Sequence, residues 1–183
     1  PNNGNGANNL PNCWDAYNTG SSNYTAYPYV YYSNNNAYNG NYSLRFYTQN
    51  GNNYADQYAV LPAFDANTSL NTLQISFKAR SNAANTPFTL IVGAMSGGTN
   101  SFEPMDTLTI TGTSYSTYIV YFDAYDGIAN RIALKAPKNS GSTNNRGYVD
   151  DIVVNNLSNC RMVSDVSFSN ITTSEATVSW QSH

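Results

Sequence analysis

Along most of this chain, apolar and polar residues alternate in short segments, the period of a strand with one buried and one wet face. LQISFKAR (73–80) shows it most clearly. YSLRFYTQ (42–49), QYAVLPAF (57–64), FTLIVGAM (88–95), DTLTITG (106–112), STYIVYFD (116–123), RIALKAP (131–137) and GYVDDIVV (147–154) also read as strands. YTAYPYVYY (24–32) alternates aromatics, and Pro28 predicts an edge position or a bulge there, because proline cannot donate to a strand ladder. No window carries sustained apolar spacing at i, i+3, i+4 and i+7 behind an N-cap, so helix is expected to be nearly absent.

The intervening NNNAYNGN, NGNN, SNAANTP, SGGTN, YDG and KNSGSTNNRG supply turn and loop chemistry. GAMSGGTN reads as a flexible hairpin loop with glycine at positive φ, and SFEPMD, with Pro104 between Glu103 and Asp106, reads as a turn. Nine short strands at regular spacing predict an all-β fold, an antiparallel two-sheet β-sandwich of jelly-roll type, over residues 10–160. PNNGNGANN (1–9) has no periodicity and reads as a linker. After Cys160 the character changes: SDVSFSNITTSEATVSW (164–180) gives a strand, a Thr/Ser turn and an alternating strand ending in Trp180. That resembles the opening strands of a fibronectin type III domain. Residues 161–183 are read as the start of such a module, or as an extension strand packed on the first domain.

A chain of 183 residues has room for one domain with a real core and a fragment of a second. Only 10% of residues are charged, against about a quarter in typical soluble proteins, while 16 tyrosines raise the aromatic share to 14%. Net charge is −3 and no Lys/Arg cluster occurs, so the electrostatic footprint that nucleic acid or an anionic membrane requires is missing. Hydroxyls, amides and aromatic faces suit uncharged polar ligands, carbohydrates first. No apolar run approaches the ~20 residues of a transmembrane helix, and the N-terminus lacks a basic and then apolar leader pattern. The expectation is a secreted or cell-surface chain whose leader has been removed, or an interior piece of a longer protein, monomeric as an isolated domain.

Cys13 and Cys160 lie near opposite ends of the main domain. First and last strands of a sandwich often lie side by side, and the Asn-rich, charge-poor composition suits an oxidising compartment, so a Cys13–Cys160 disulfide is expected, with two buried free thiols as the alternative. Catalysis is not expected. The two glutamates, Glu103 and Glu175, do not form a strand-borne carboxyl pair, and the single histidine, His183, leaves the many hydroxyls without a base.

For sugar binding, the chemistry needs flat aromatic faces for pyranose stacking with amides and hydroxyls nearby. Alternation places Tyr27, Tyr29 and Tyr31 on one side of their strand; Tyr24, Tyr32, Tyr54, Tyr58 and Trp14 are further candidates. The competing reading is a half-buried sheet face held by cross-strand aromatic pairs.

LPNCWDAYN, YNGNYSLRFY, YAVLPAFD followed by LQISFKAR, NSFEPMDTLTI, RIALKAP and GYVDDIVV occur in an order that resembles jelly-roll modules of Bacteroidetes surface and secreted proteins. These are the MAM-like, choice-of-anchor J and cleaved-adhesin domains. The resemblance implies a noncatalytic module of a multidomain protein, engaged in adhesion or in binding a glycan or host surface protein. Related carbohydrate-binding jelly rolls carry a structural Ca²⁺, with the first aspartate of a D-D-I step in the last strand as ligand. The matching residue here is Asp150, with Asp15 and the backbone around Asn41 as further donors. On a regular strand Asp150 and Asp151 point to opposite faces; the alternative to metal ligation is a surface residue or a cap for a neighbouring loop.

Overall fold

A computed structural model describes residues 10–20, 27–33, 35–48, 55–139, 144–158 and 163–182. Among these residues there are twelve strands: β1 (Asp15–Asn18), β2 (Tyr29–Tyr32), β3 (Tyr42–Thr48), β4 (Gln57–Val60), β5 (Leu73–Ser81), β6 (Phe88–Met95), β7 (Phe102–Ile110), β8 (Ser116–Tyr121), β9 (Arg131–Ala136), β10 (Asn145–Asn156), β11 (Val163–Ser169) and β12 (Thr177–Ser182). Ten of them form two five-stranded sheets, sheet I in the order β1-β4-β9-β6-β7 and sheet II in the order β2-β3-β10-β5-β8. All neighbouring pairs are antiparallel. The predicted two-sheet jelly-roll sandwich is thus the fold of the chain.

The sheets face one another across a core in which Phe46, Phe77, Phe88, Phe122, Ile75, Leu90, Ile110, Ile132 and Leu134 are fully buried. Each such side chain contributes about 1.5–3 kcal/mol by leaving water. Gly147 on β10 faces this core, and the Phe88 ring occupies the space where its side chain would stand.

Three local readings change. SFEPMD is part of strand, not a turn: β7 starts at Phe102. It is the edge of sheet I, where Pro104 removes no needed donor, and the ladder shifts register between Val92 and Gly93 to accommodate it. The SGGTN loop closes without positive φ at Gly98, whose φ is −65°, and a single 3₁₀ turn over Thr99–Ser101 follows. Within β10, strict alternation breaks: the pairing with β5 shifts between Asp150 and Val153, and Asp151 has a φ of +46°. A bulge therefore replaces the regular strand that would send Asp150 and Asp151 to opposite faces.

On the outer face of sheet I, Lys135 reaches Asp56 at 2.8 Å and lies 5.3 Å from the centroid of Tyr58. Burial works to raise the Asp56 pKa, but the Lys135 hydrogen bond, the Lys138 amide and the charges of both lysines outweigh it and hold the group below the usual aspartate range. A carboxyl with a depressed folded pKa contributes stability that is fully present above the unfolded value of about 3.9 and is lost as pH falls through the folded value. Melting midpoints measured from pH 6 downward are expected to show part of their acid limb disappear in Asp56→Asn; an unchanged limb would mean that the pair contributes nothing.

β11 and β12 form a separate two-stranded sheet, with Phe168 opposite Val178. Phe168 is 64% and Trp180 57% exposed, so this hairpin presents an unburied apolar face.

Candidate functional site

Register builds the site. Tyr29 on β2 stands opposite Arg45 on β3, Arg45 opposite Tyr148 on β10, and Tyr148 opposite Arg80 on β5. Residues directly opposite share a face, and the companions of these four at odd offsets (Leu44, Phe46, Val149, Ala79) point into the core. Tyrosines and arginines therefore alternate across the outer face of sheet II, and Tyr115, just before β8, continues the row beside Arg80.

The contacts are cation–π. The Arg45 guanidinium lies 4.6 Å from the Tyr31 centroid, 5.3 Å from Tyr47, 5.6 Å from Tyr29 and 5.9 Å from Tyr148. Arg80 lies 4.4 Å from Tyr148 and 5.5 Å from Tyr115, and Arg146 lies 4.8 Å from Tyr47. Tyr29, Arg45, Tyr148 and Arg80 are buried and form a floor, while Tyr31, Tyr47 and Arg146 are half-buried and reach the surface. The Tyr29 hydroxyl is held above the usual tyrosine range, mainly by burial.

The loop between β2 and β3 folds over one end of this face. Asp150 Oδ2 accepts the amides of Tyr38 (2.8 Å) and Asn39 (3.3 Å), and its Oδ1 accepts the amide of Asp151 at 2.8 Å. From the same loop, the Asn36 side chain accepts a bond from Arg80, and its carbonyl accepts one from the Tyr115 hydroxyl. Gly40, with φ +64°, provides the left-handed turn that returns the chain to β3. Asp150 thus clips the loop to the sheet.

This geometry bears on the calcium donors expected from the sequence. Ca²⁺ takes six to eight oxygens, whereas three backbone amides already surround the Asp150 carboxylate. Asp15 is on sheet I and is ion-paired with Arg131. The carbonyl of Asn41 accepts the Ser33 amide. Among the described residues no three acidic, histidine or cysteine side chains gather in a way that could hold a metal. As arranged, Asp150 serves as a cap for the neighbouring loop, and Asp15 and the Asn41 carbonyl have the partners just named.

The sequence-derived sugar candidates divide. Tyr29 and Tyr31 are in the site, their rings edge-to-face at 6.1 Å. Tyr27 precedes β2 and is half-buried. Trp14 lies elsewhere, in a mainly apolar cleft at the end of the sandwich shared with Pro11, Tyr42, Asp150, Asp151 and Ile152. Tyr32 packs at a tilt against Tyr42 at its opposing register position, and Tyr58 is buried on sheet I. Tyr24 and Tyr54 fall outside the described residues. Cys13 is an exposed free thiol, and Cys160, its expected partner, falls outside the described residues. Glu103 and Asp106 are exposed on the edge strand β7. Reading the sequence missed Arg45, Tyr47, Arg80, Tyr115, Arg146 and Tyr148; the available signal was an arginine and a tyrosine two positions apart in both RFY (45–47) and RGY (146–148).

The chain is a two-sheet antiparallel sandwich of jelly-roll type with an aromatic and polar outer sheet face. Solved structures with this fold include the K1 cleaved adhesin domain of Lys-gingipain from Porphyromonas gingivalis W83, with a TM-score of 0.62 and 16% identity over 83% of this chain and 95% of that one. The K2 cleaved adhesin domain of Lys-gingipain matches with a TM-score of 0.59 and 13% identity over 76% and 88%. The CBM22-1 xylan-binding domain of Paenibacillus barcinonensis Xyn10C matches with a TM-score of 0.50 and 14% identity over 77% and 83%. No family model matches the sequence, and no curated protein matches it.

Proposed function

We propose that this chain is a noncatalytic, extracellular adhesion module that binds carbohydrate on the outer face of sheet II. The observation that carries this is the row Tyr29–Arg45–Tyr148–Arg80, continued by Tyr115: aromatic rings packed against guanidinium groups, with Tyr31 and Tyr47 accessible above them. Pyranose rings stack on such faces, and a floor that is already ordered loses little entropy when ligand binds. Jelly-roll neighbours among cleaved adhesins and a xylan-binding domain support the reading at the level of fold.

A glycan array probed with the wild type and with Tyr31→Ala tests this. The wild type is expected to give discrete saccharide signals that Tyr31→Ala reduces about tenfold, the equivalent of one stacking contact of about 1–1.5 kcal/mol. Silence of the folded wild type across the array would leave a spacer domain as the better description.

We further read residues 10–160 as this module and β11–β12 as the opening hairpin of a second, fibronectin type III-like sandwich. An isolated two-stranded ribbon is marginal in water, and the exposed Val166, Phe168, Val178 and Trp180 are the face that further strands would cover. Extending the chain through such a domain is expected to blue-shift Trp180 fluorescence and protect it from quenching; an unchanged spectrum would argue for a hairpin that stays open.

A further inference from the structure

The cations of the two sheets are treated differently. On sheet I, Arg131 has Asp15 and Lys135 has Asp56. On the outer face of sheet II stand Arg45, Arg80, Arg146 and Lys78, and none of these four has a carboxylate within ion-pair distance among the described residues. Arg80 is bonded to Asn36 and to the Ser81 carbonyl, and Lys78 to Thr117.

Arg45 and Arg146 are different again. Arg45 is only 9% exposed, and the buried Nε of each has no hydrogen-bond partner among the described residues. A guanidinium is always charged, and a buried one without an acceptor is costly, so such a group calls for an explanation. The two side chains border the same tyrosine ring. Arg45 faces Tyr148, Arg146 lies two residues before Tyr148 on the same face, and both guanidiniums approach the Tyr47 ring, at 5.3 and 4.8 Å. Burial raises the pKa of the nearby Tyr29 hydroxyl, and Arg45 and Arg146 both act to lower it.

We propose, building on the glycan-binding reading of this face, that its ligand is an anionic saccharide whose carboxylate or sulfate is held between Arg45 and Arg146 beside Tyr47. Guanidinium forks match planar carboxylates and the oxygen pairs of sulfate bidentately, and the tyrosine rings offer the adjoining sugar a stacking surface. The overall charge of −3 does not oppose this, because the field is local and two of the acids, Asp15 and Asp56, are paired on sheet I.

The test is calorimetric titration of the whole chain with three hexasaccharides: an oligouronate, a sulfated glycosaminoglycan fragment and neutral xylohexaose, at ~20 and ~200 mM salt. One or both anionic ligands are expected to bind, more weakly at high salt, with Arg146→Gln losing about tenfold or more and Arg146→Lys recovering part of the loss. Binding of the oligouronate alone, or of the sulfated fragment alone, identifies the acid group. Xylohexaose binding as well as or better than the anionic ligands overturns the anionic assignment and leaves the glycan reading intact. If no saccharide binds, both fall. Wild-type affinity for the anionic ligand in a folded Arg146→Gln protein also overturns the proposal. Arg45→Gln, checked by its melting curve, is expected to lose binding in the same way.

Discussion

Replacing Gly147 with valine is expected to cost the sandwich about 3 kcal/mol or more, out of a total of some 5–15 kcal/mol for a domain of this kind. A Cβ at this position would meet Phe88 Cδ1 and Cε1 at 2.1 Å and Cγ at 2.4 Å. Neither side can give way easily. The Gly147 backbone is paired with Phe46 on one flank and Ser81 on the other, and the Phe88 ring is 1% exposed and packs 6.0 Å from Phe46. Urea denaturation should show the loss as a lower midpoint. Phe88→Ala, itself worth about 3–5 kcal/mol, should not add to it, because the space it vacates is the space the valine needs. A Gly147→Val protein with the wild-type midpoint would mean that β10 does not lie on β6 as described.

Asp150→Ala is expected to lower stability by about 2 kcal/mol, or roughly 4–8 °C in melting temperature. It removes the shared acceptor of the Tyr38, Asn39 and Asp151 amides and so releases the loop that carries Asn36 onto Arg80 and Tyr115. Asp150→Asn, which keeps one carbonyl acceptor, should fall between the two. Hydrogen exchange at the Tyr38 and Asn39 amides should accelerate in the alanine variant. EDTA and added Ca²⁺ should leave wild type and variant equally unchanged. A wild-type midpoint that drops in EDTA, with the difference abolished by Asp150→Ala, would make Asp150 a cation ligand instead of a loop clip.

Much of the sandwich is legible because burial writes a period of two into the strands. LQISFKAR has Leu73, Ile75, Phe77 and Ala79 on the core side, and β5 spans Leu73–Ser81. β1 escapes notice because DAYN is four residues with a single strongly hydrophobic side chain, too short to show periodicity. Pro104 misleads about β7, since proline is excluded from central strands but not from an edge. At Asp151 the period itself fails: the residue takes a left-handed conformation that β10 needs for its bulge against β5, a property of the pairing and not of the segment. The site shows the same division. Tyr29 and Tyr31 stand out as neighbours on one strand. Arg45, Arg80 and Tyr148 come together only through register between segments far apart in the chain, and a sequence does not display register.

Ligand is expected to sit on the Tyr/Arg face of sheet II. The direct measurement is the change in backbone amide shifts of the labelled chain on titration with its best-binding saccharide. Perturbations grouped on residues 29–31, 45–47 and 146–148 are the expected result. Perturbations centred on Trp14, Tyr42 and Asp151–Ile152 would move the site to the end cleft and contradict the account.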